Sequence, residues 1–271
     1  MKTQRYFTVT KEVGETPLHA LERARVIEHI SASVPLAYAG RLDPMASGKL
    51  LILVGDECKV QERYHTLDKE YVFEVLLGVT SDTHDVLGIV EFGTPRSSTN
   101  SEVKNVLATL TGKITLPYPH FSSKTVQGKP LHMWTLEGKL DTITIPTKTS
   151  TIYSLTHIDV RSVDANTLDA EIRKKIASVE TVTDERKALG RDFRRVDVLK
   201  SWESIVNGHP TQIYEIHTFR CVASSGTYMR TLASLIGKNL GTGALAYSIH
   251  RTKIGKYLNI PHVGGFFRKV Y

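Results

Sequence analysis

Two cysteines, Cys58 and Cys221, are all that the 271 residues contain. Their spacing fits neither a metal knuckle nor a dithiol redox pair, so zinc-ribbon and thioredoxin-like chemistry are excluded, and buried thiols in a reducing compartment are expected. There is no signal peptide and no apolar run of membrane-spanning length, which points to a soluble, cytoplasmic protein. The sequence has no Gly-rich phosphate loop and no ligand cluster at metal spacing, so neither a nucleotide cofactor nor a metal is expected. Internal repeats and low-complexity tracts are missing too. What the chain does have is positive charge. Lys and Arg number 35 against 28 Asp and Glu, for a formal net charge of +7 and a pI near 9.3. That balance suits a polyanionic partner, because neutralised phosphates release counterions. Hydrophobic content is ordinary, so a sizeable core can form in one large domain or two small ones.

The stretch from Tyr38 to Lys49 organises the rest. Asp43 sits there in a turn rich in Gly and Pro, and the apolar run at 50–54 follows at once as a buried strand. Chemistry tends to sit on loops anchored to a core strand, so Asp43 is the first candidate for a working carboxylate. On this stretch alone, a turn-capping Asp before Pro is the competing account.

Alternation over residues 6–10 predicts a first strand. Thr16 is placed to cap a helix that Pro17 opens, with Leu18, Leu21, Ala24 and Ile27 as its buried stripe. Residues 55–59 turn into a short helix. Tyr71, Phe73, Val75 and Leu77 form the predicted core face of a strand. Residues 79–88 read as a polar loop and 89–92 as a short strand. Asn100 or Ser101 is expected to cap a helix striped with Val103, Val106, Leu107 and Leu110 and ended by Gly112. Strands are predicted at 113–116, 142–145, 151–160, 212–223 and 244–254, and a helix at 227–240. Residues 164–210 differ. Charge concentrates there around Glu171–Lys175, Glu185–Lys187 and Arg191–Arg195, in a broken helical pattern. This reads as a surface insertion, either a solvated helical hairpin or a basic arm that contacts RNA.

Four motifs stand in order along the chain: the Asp43 stretch; Lys69-Glu70-Tyr71; residues 77–85, ending Ser81-Asp82-Thr83-His84-Asp85; and Ser225-Gly226-Thr227-Tyr228-Met229-Arg230. Together they resemble the pseudouridine synthases, most closely the TruB family, which isomerises uridine 55 in the T loop of tRNA. The resemblance runs from about Lys11 to Gly255. It implies a pseudouridine synthase fold: a single α+β domain with a central, mixed but mostly antiparallel sheet flanked by helices and loops. It also implies an enzyme that needs no cofactor. Asp43 would be the covalent partner, Arg230 the cation that keeps it ionised, and Tyr71 the ring under the extruded base, able to take a proton late in the reaction. Tyr71 would otherwise be a core tyrosine, and Arg230 a helix-surface arginine. Asp82 and Thr83 would contact flipped nucleotides, with Asp85 in the same loop, and Tyr228 would join the RNA site. Lys11, Lys124 and Lys129 would meet phosphates, or else stand exposed and idle.

Two departures bear on the substrate. Tyr38 stands where the family has a histidine that helps displace a T-loop nucleotide, and would have to stack in its place. Arg41 replaces a threonine, giving an Arg-Leu-Asp run typical of other pseudouridine synthase families. Only about sixteen residues follow Gly255, so no separate C-terminal RNA-binding domain is expected. The expected partner is the T stem-loop of tRNA and the expected state a monomer. The competing readings are the same reaction on another RNA, such as ribosomal RNA, and a noncatalytic RNA-binding or RNA-folding protein on the same scaffold.

Overall fold

The computed structural model describes residues 5–181, 192–260 and 264–271. The charged cluster at 185–187 and Arg191 lie outside the described residues. In chain order the elements are β1 (Tyr6–Lys11), α1 (Pro17–Ile27), β2 (Leu36–Ala39), β3 (Ala46–Val54), α2 (Glu62–His65), β4 (Asp68–Leu77), β5 (Val79–Ser81) and β6 (Val90–Phe92). Then come α3 (Asn100–Leu110), β7 (Gly112–Pro117), β8 (Thr125–Val126), β9 (Lys129–Pro130), α4 (Leu131–Leu136), β10 (Thr147–Asp164) and α5 (Ala165–Ser178). The chain ends with α6 (Arg195–Gly208), β11 (Ile213–Ala223), α7 (Met229–Asn239), β12 (Ala244–Ile260) and β13 (Gly264–Val270).

One sheet dominates, in the order β1-β3-β12-β4-β11-β10-β7, with β2 added on β3 and β13 on β12. Its pairings are antiparallel except one: β12 runs parallel to β3 over Ile249–Arg251 and Ala46–Gly48. This is the mixed, mostly antiparallel α+β architecture expected from the sequence. The late strand β12 therefore sits in the middle, between β3 and β4. The apolar run on β3 reads as continuous because both faces are covered, and Leu50 to Leu53 are wholly buried. Where β12 passes β3, Gly48 has a φ of +105°, and a Cβ there would lie 2.3 Å from the Arg251 carbonyl oxygen. The close approach requires glycine at this position of the Asp43 stretch.

The structure corrects several local expectations. Thr16 does cap α1, accepting from the His19 amide at 3.1 Å, but the buried stripe is Ala20, Leu21 and Ala24. Leu18 and Ile27 are exposed. The cap of α3 is Thr99 rather than Asn100 or Ser101; its hydroxyl and the Glu102 carboxylate form a reciprocal capping box. The strand expected at 142–145 is missing, and a 3₁₀ turn at Leu140–Thr142 leads into β10. The 79–88 segment opens with β5, and its polar residues Ser81, Thr83 and Asp85 are buried.

The described residues of the 164–210 stretch do form helices, α5 and α6, but not a free-standing surface hairpin. Leu168, Ile172 and Ile176 of α5 and Val198, Trp202, Ile205 and Val206 of α6 belong to the main hydrophobic core. The Trp202 indole donates to the Val86 carbonyl at 3.1 Å. On α5 the charged Arg173 and Lys174 are exposed, opposite the apolar stripe, as an amphipathic helix requires.

Candidate active site

The turn that carries Asp43 is held from two sides by buried cations. From β1, the Lys11 ammonium donates to the carbonyls of Ala46 at 2.6 Å, Glu12 at 2.9 Å and Pro44 at 3.4 Å. From β12, the Arg251 guanidinium donates to the carbonyls of Lys49 at 2.7 Å, Gly40 at 2.9 Å and Arg41 at 3.5 Å. Neither side chain reaches solvent. Backbone carbonyls that would be orphaned in a tight turn thus gain charge-assisted partners. The cost appears on the cations. Burial pulls the Lys11 pKa down to about 8 and also lowers that of Arg251, against the Tyr71 phenol hydrogen-bonded to it.

Arg230, in the first turn of α7, closes the site. Its Nε donates to Asp43 Oδ2 at 2.7 Å, its Nη1 to the Thr83 carbonyl at 2.8 Å and its Nη2 to the Phe121 carbonyl at 3.1 Å. A second carboxylate, Asp85 Oδ2, lies 3.6 Å from the same Nε. Asp85 is itself fixed by the Thr83 hydroxyl at 2.7 Å and the Leu87 amide at 2.9 Å. The two acids differ in exposure: the Asp43 side chain is 43 % exposed and that of Asp85 6 %. Burial pushes the Asp85 carboxyl above its usual range, and Arg230 opposes this. Burial pulls Arg230 down, but the two carboxylates outweigh it and leave its pKa above the ordinary arginine value. The arrangement is one buried cation shared by a structural acid behind it and an accessible acid in front.

In front of Asp43 is a cavity of about 690 Å³, lined in part by Tyr38, Arg41, Tyr71, Tyr228, Arg230 and Lys69. That volume suits a nucleoside-sized group. Burial pushes the Tyr71 phenol up, with the adjacent Arg251 pulling back, and pushes Tyr228 up to about 12. Both rings therefore enter the cavity protonated at neutral pH, as flat apolar surfaces with one polar tip each. Lys69 is buried, with its pKa pulled down to about 8 by burial and then by Arg251. Among the described residues no group of three or more His, Cys, Asp or Glu is placed to hold a metal ion, and no helix is long and apolar enough to cross a membrane.

Six of the twelve site residues named from the sequence meet at this cavity: Tyr38, Arg41, Asp43, Tyr71, Tyr228 and Arg230. The other six do not line it: Asp85 is buried beside Arg230, and the Lys129 ammonium donates to the Glu137 carboxylate at 2.7 Å. Lys11 was expected at a phosphate and is instead committed to backbone carbonyls in the interior. Thr83 was expected to touch nucleotides and is buried against Asp85. The Asp82 carboxylate is gripped by Arg194, at 2.5 and 3.2 Å, and accepts from the Ile89 amide. Lys124 is exposed, with its ammonium 5.4 Å from the Tyr118 ring centre. The sequence reading gave Arg251 no role, and in the register it stands directly opposite Tyr71. It stands between His250 and Lys253 on β12, so nothing in the sequence set it apart from the basic residues beside it.

Lys11 gives a pH test of this packing. A lysine whose folded pKa lies below its unfolded value holds fewer protons folded than unfolded between the two, so its contribution to stability rises with pH across that window. For Lys11 the window runs from about 8 to the ordinary 10.5. In urea melts, wild type should therefore gain stability relative to Lys11→Met as pH is raised from 8 to 10. A constant difference would mean that Lys11 is not buried in solution.

Residues 30–176 match the model for the TruB family pseudouridylate synthase N-terminal domain. The tRNA pseudouridine synthase B of Caldicellulosiruptor saccharolyticus is 30% identical over 249 residues, which cover 92% of this chain and 67% of that protein. Its namesake in Syntrophomonas wolfei is 25% identical over 92% of this chain and 66% of its own length. That of Bacillus cereus is 30% identical over 82% of this chain and 58% of its own length. The chain thus spans roughly three fifths to two thirds of the length of these relatives. Among solved structures, a Cbf5-Nop10-Gar1 complex matches with a TM-score of 0.55 at 16% identity, covering 93% of this chain and 49% of the matched one. An H/ACA RNP bound to a substrate RNA containing 2'-deoxyuridine gives a TM-score of 0.51 at 15% identity, over 92% and 47%. At these identities the likeness is one of fold.

Proposed function

The chain belongs to the TruB family of pseudouridylate synthases, and on that premise we propose that it converts a tRNA uridine, number 55 of the T loop, into pseudouridine with Asp43 as the covalent partner. The observation that carries the reading is the Asp43–Arg230 pair at the floor of the cavity, 2.7 Å apart and joined from positions 187 residues apart in sequence. Isomerisation breaks the bond from N1 of the base to C1′ of the sugar and makes one from C5 to C1′. The proton leaves C5, and N1 gains one, so nothing is oxidised or reduced. The carboxylate holds the substrate covalently while the base turns over. It must be ionised under a bound nucleoside, and Arg230 favours that form. The uridine must first leave its stack, and the Tyr71 and Tyr228 rings offset part of that cost, since base–aromatic contact contributes about 1–3 kcal/mol. Burial holds Tyr71 protonated, so it serves the extruded base as a stacking ring with its polar tip against Arg251 and not as the acceptor of the C5 proton.

The test is direct. Unmodified tRNA transcript is incubated with the protein, and pseudouridine is located by chemical derivatisation and primer extension. A single stop at position 55 is the expected result. A product only in other RNA, sought in RNA from cells that lack the gene, would replace the tRNA assignment; Tyr38 and Arg41 at the cavity wall are the residues that would then set the substrate. Binding without product on any cellular RNA would replace the enzyme with an RNA-binding protein.

A further inference from the structure

No acidic residue follows Glu215. Residues 216–271 contain eight Lys and Arg and no Asp or Glu, so they hold the whole positive excess of the chain. Arg230 and Arg251 among them are buried at the site. Three others, Lys256, Arg268 and Lys269, are exposed on the ribbon that the last part of β12 makes with β13.

One face of this ribbon is anchored. Tyr257 and Phe267 are cross-strand partners with rings 5.2 Å apart, and Tyr153 packs 5.2 Å from Tyr257. The Tyr257 amide and the Tyr153 hydroxyl both donate to Asp68, at 2.9 and 3.2 Å. The other face is open. Lys256 stands opposite Lys269, and Leu258 opposite Phe266, with Leu258 44% and Phe266 52% exposed. Like charges placed directly across a strand pair repel each other. The Tyr271 and Tyr6 rings, 4.3 and 5.6 Å from the Lys269 ammonium, offer partial relief. The open face also points the right way. Ile254 is opposite Lys69, whose side chain lines the Asp43 cavity, and strand alternation carries that side outward through Ile254, Lys256 and Leu258.

We propose that this ribbon is a second RNA-contacting surface, which holds the phosphate backbone of the substrate beyond the nucleotide bound at Asp43. The proposal rests on the RNA-modifying function given above. Two cations facing each other, beside an uncovered Phe–Leu pair and with no carboxylate in the segment, match a polyanion that also offers ribose and base faces. Phosphate contacts of this kind fix the position of the RNA and carry no sequence information.

The test compares the full chain with the triple variant Lys256→Gln, Arg268→Gln, Lys269→Gln, using tRNA transcript. About tenfold weaker binding at physiological salt is expected, with a plot of log affinity against log salt shallower by roughly 2, as three lost phosphate contacts require. The loss should fall in KM and not in kcat. Phe266→Ser should weaken binding without changing the salt slope. If thermal melts show the triple variant unfolded, Lys256→Gln and Arg268→Gln alone should each give about a twofold to threefold loss. Wild-type affinity and slope in the folded variants would overturn the proposal and leave the face to a protein partner or another chain segment, even if pseudouridine still forms. Weakened binding together with no pseudouridine from wild type would instead overturn the catalytic reading and leave the ribbon as an RNA surface.

Discussion

Asp43→Asn should cost roughly 10⁴-fold or more in single-turnover pseudouridine formation, the scale on which loss of a covalent nucleophile acts. Affinity for tRNA should stay within about threefold of wild type. The amide has the shape of the carboxylate, and its oxygen can still accept from Arg230 Nε, which Asp43 now takes at 2.7 Å. Arg230 also keeps Asp85 at 3.6 Å and the Thr83 and Phe121 carbonyls, so it is not left as an uncompensated buried charge. What the amide lacks is a nucleophilic anion. A variant that folds, binds and still reacts within about a hundredfold of wild type would remove Asp43 from the chemistry.

Arg230→Met acts differently, because it damages fold and reaction together. Removing one partner of a buried ionic cluster costs about 3–5 kcal/mol. Activity should fall on the order of 10³-fold, since the charge that favours the ionised acid and the group that aims it are lost at once. The stability deficit should depend on pH, with a sign set by Asp85. Burial already raises that carboxyl, and without Arg230 it must rise further. A carboxyl whose folded pKa exceeds its unfolded value stabilises the fold fully below the unfolded pKa and loses that contribution as pH rises through the folded one. Urea melts should therefore show a smaller deficit at pH 5 than at pH 8. Equal deficits would mean that Asp85 is not the acid left stranded.

The pairing of Asp43 with Arg230 was legible before any coordinates only through the resemblance to the TruB family; the Gly, Pro and Ser content of the two motifs marks turns beside strands but not that the turns meet. The strands around them were legible from alternation, and β3 from its apolar run. The errors have physical causes. Lys11 in a Gly- and Pro-containing turn looked solvent-facing, since a buried lysine has no local signature when its acceptors are carbonyls 33 and 35 residues away. Arg251 was overlooked for the same reason, its partners lying some 200 residues earlier. The helices α5 and α6 were assigned to the surface on their charge, although Leu168, Ile172 and Ile176 repeat at a spacing of four. The α3 cap was also readable, as Thr99 and Glu102 stand three apart. At the ends of α1, Leu18 and Ile27 were misplaced because small Ala20 and Ala24 make the contact that larger residues were expected to make.

The central place of β12 has a consequence for synthesis. Until residues 244–260 have emerged, β3 and β4 have no strand between them, the turn around Asp43 lacks one of its two clamps, and the cavity lacks the wall that Ile249 and Arg251 supply. A nascent chain stalled before Ala244 already has both members of the Asp43–Arg230 pair but no β12 to hold the two halves of the sheet in register. The cavity must therefore be completed in one late step, when β12 inserts, and copies truncated before Ala244 should be inert rather than partly active.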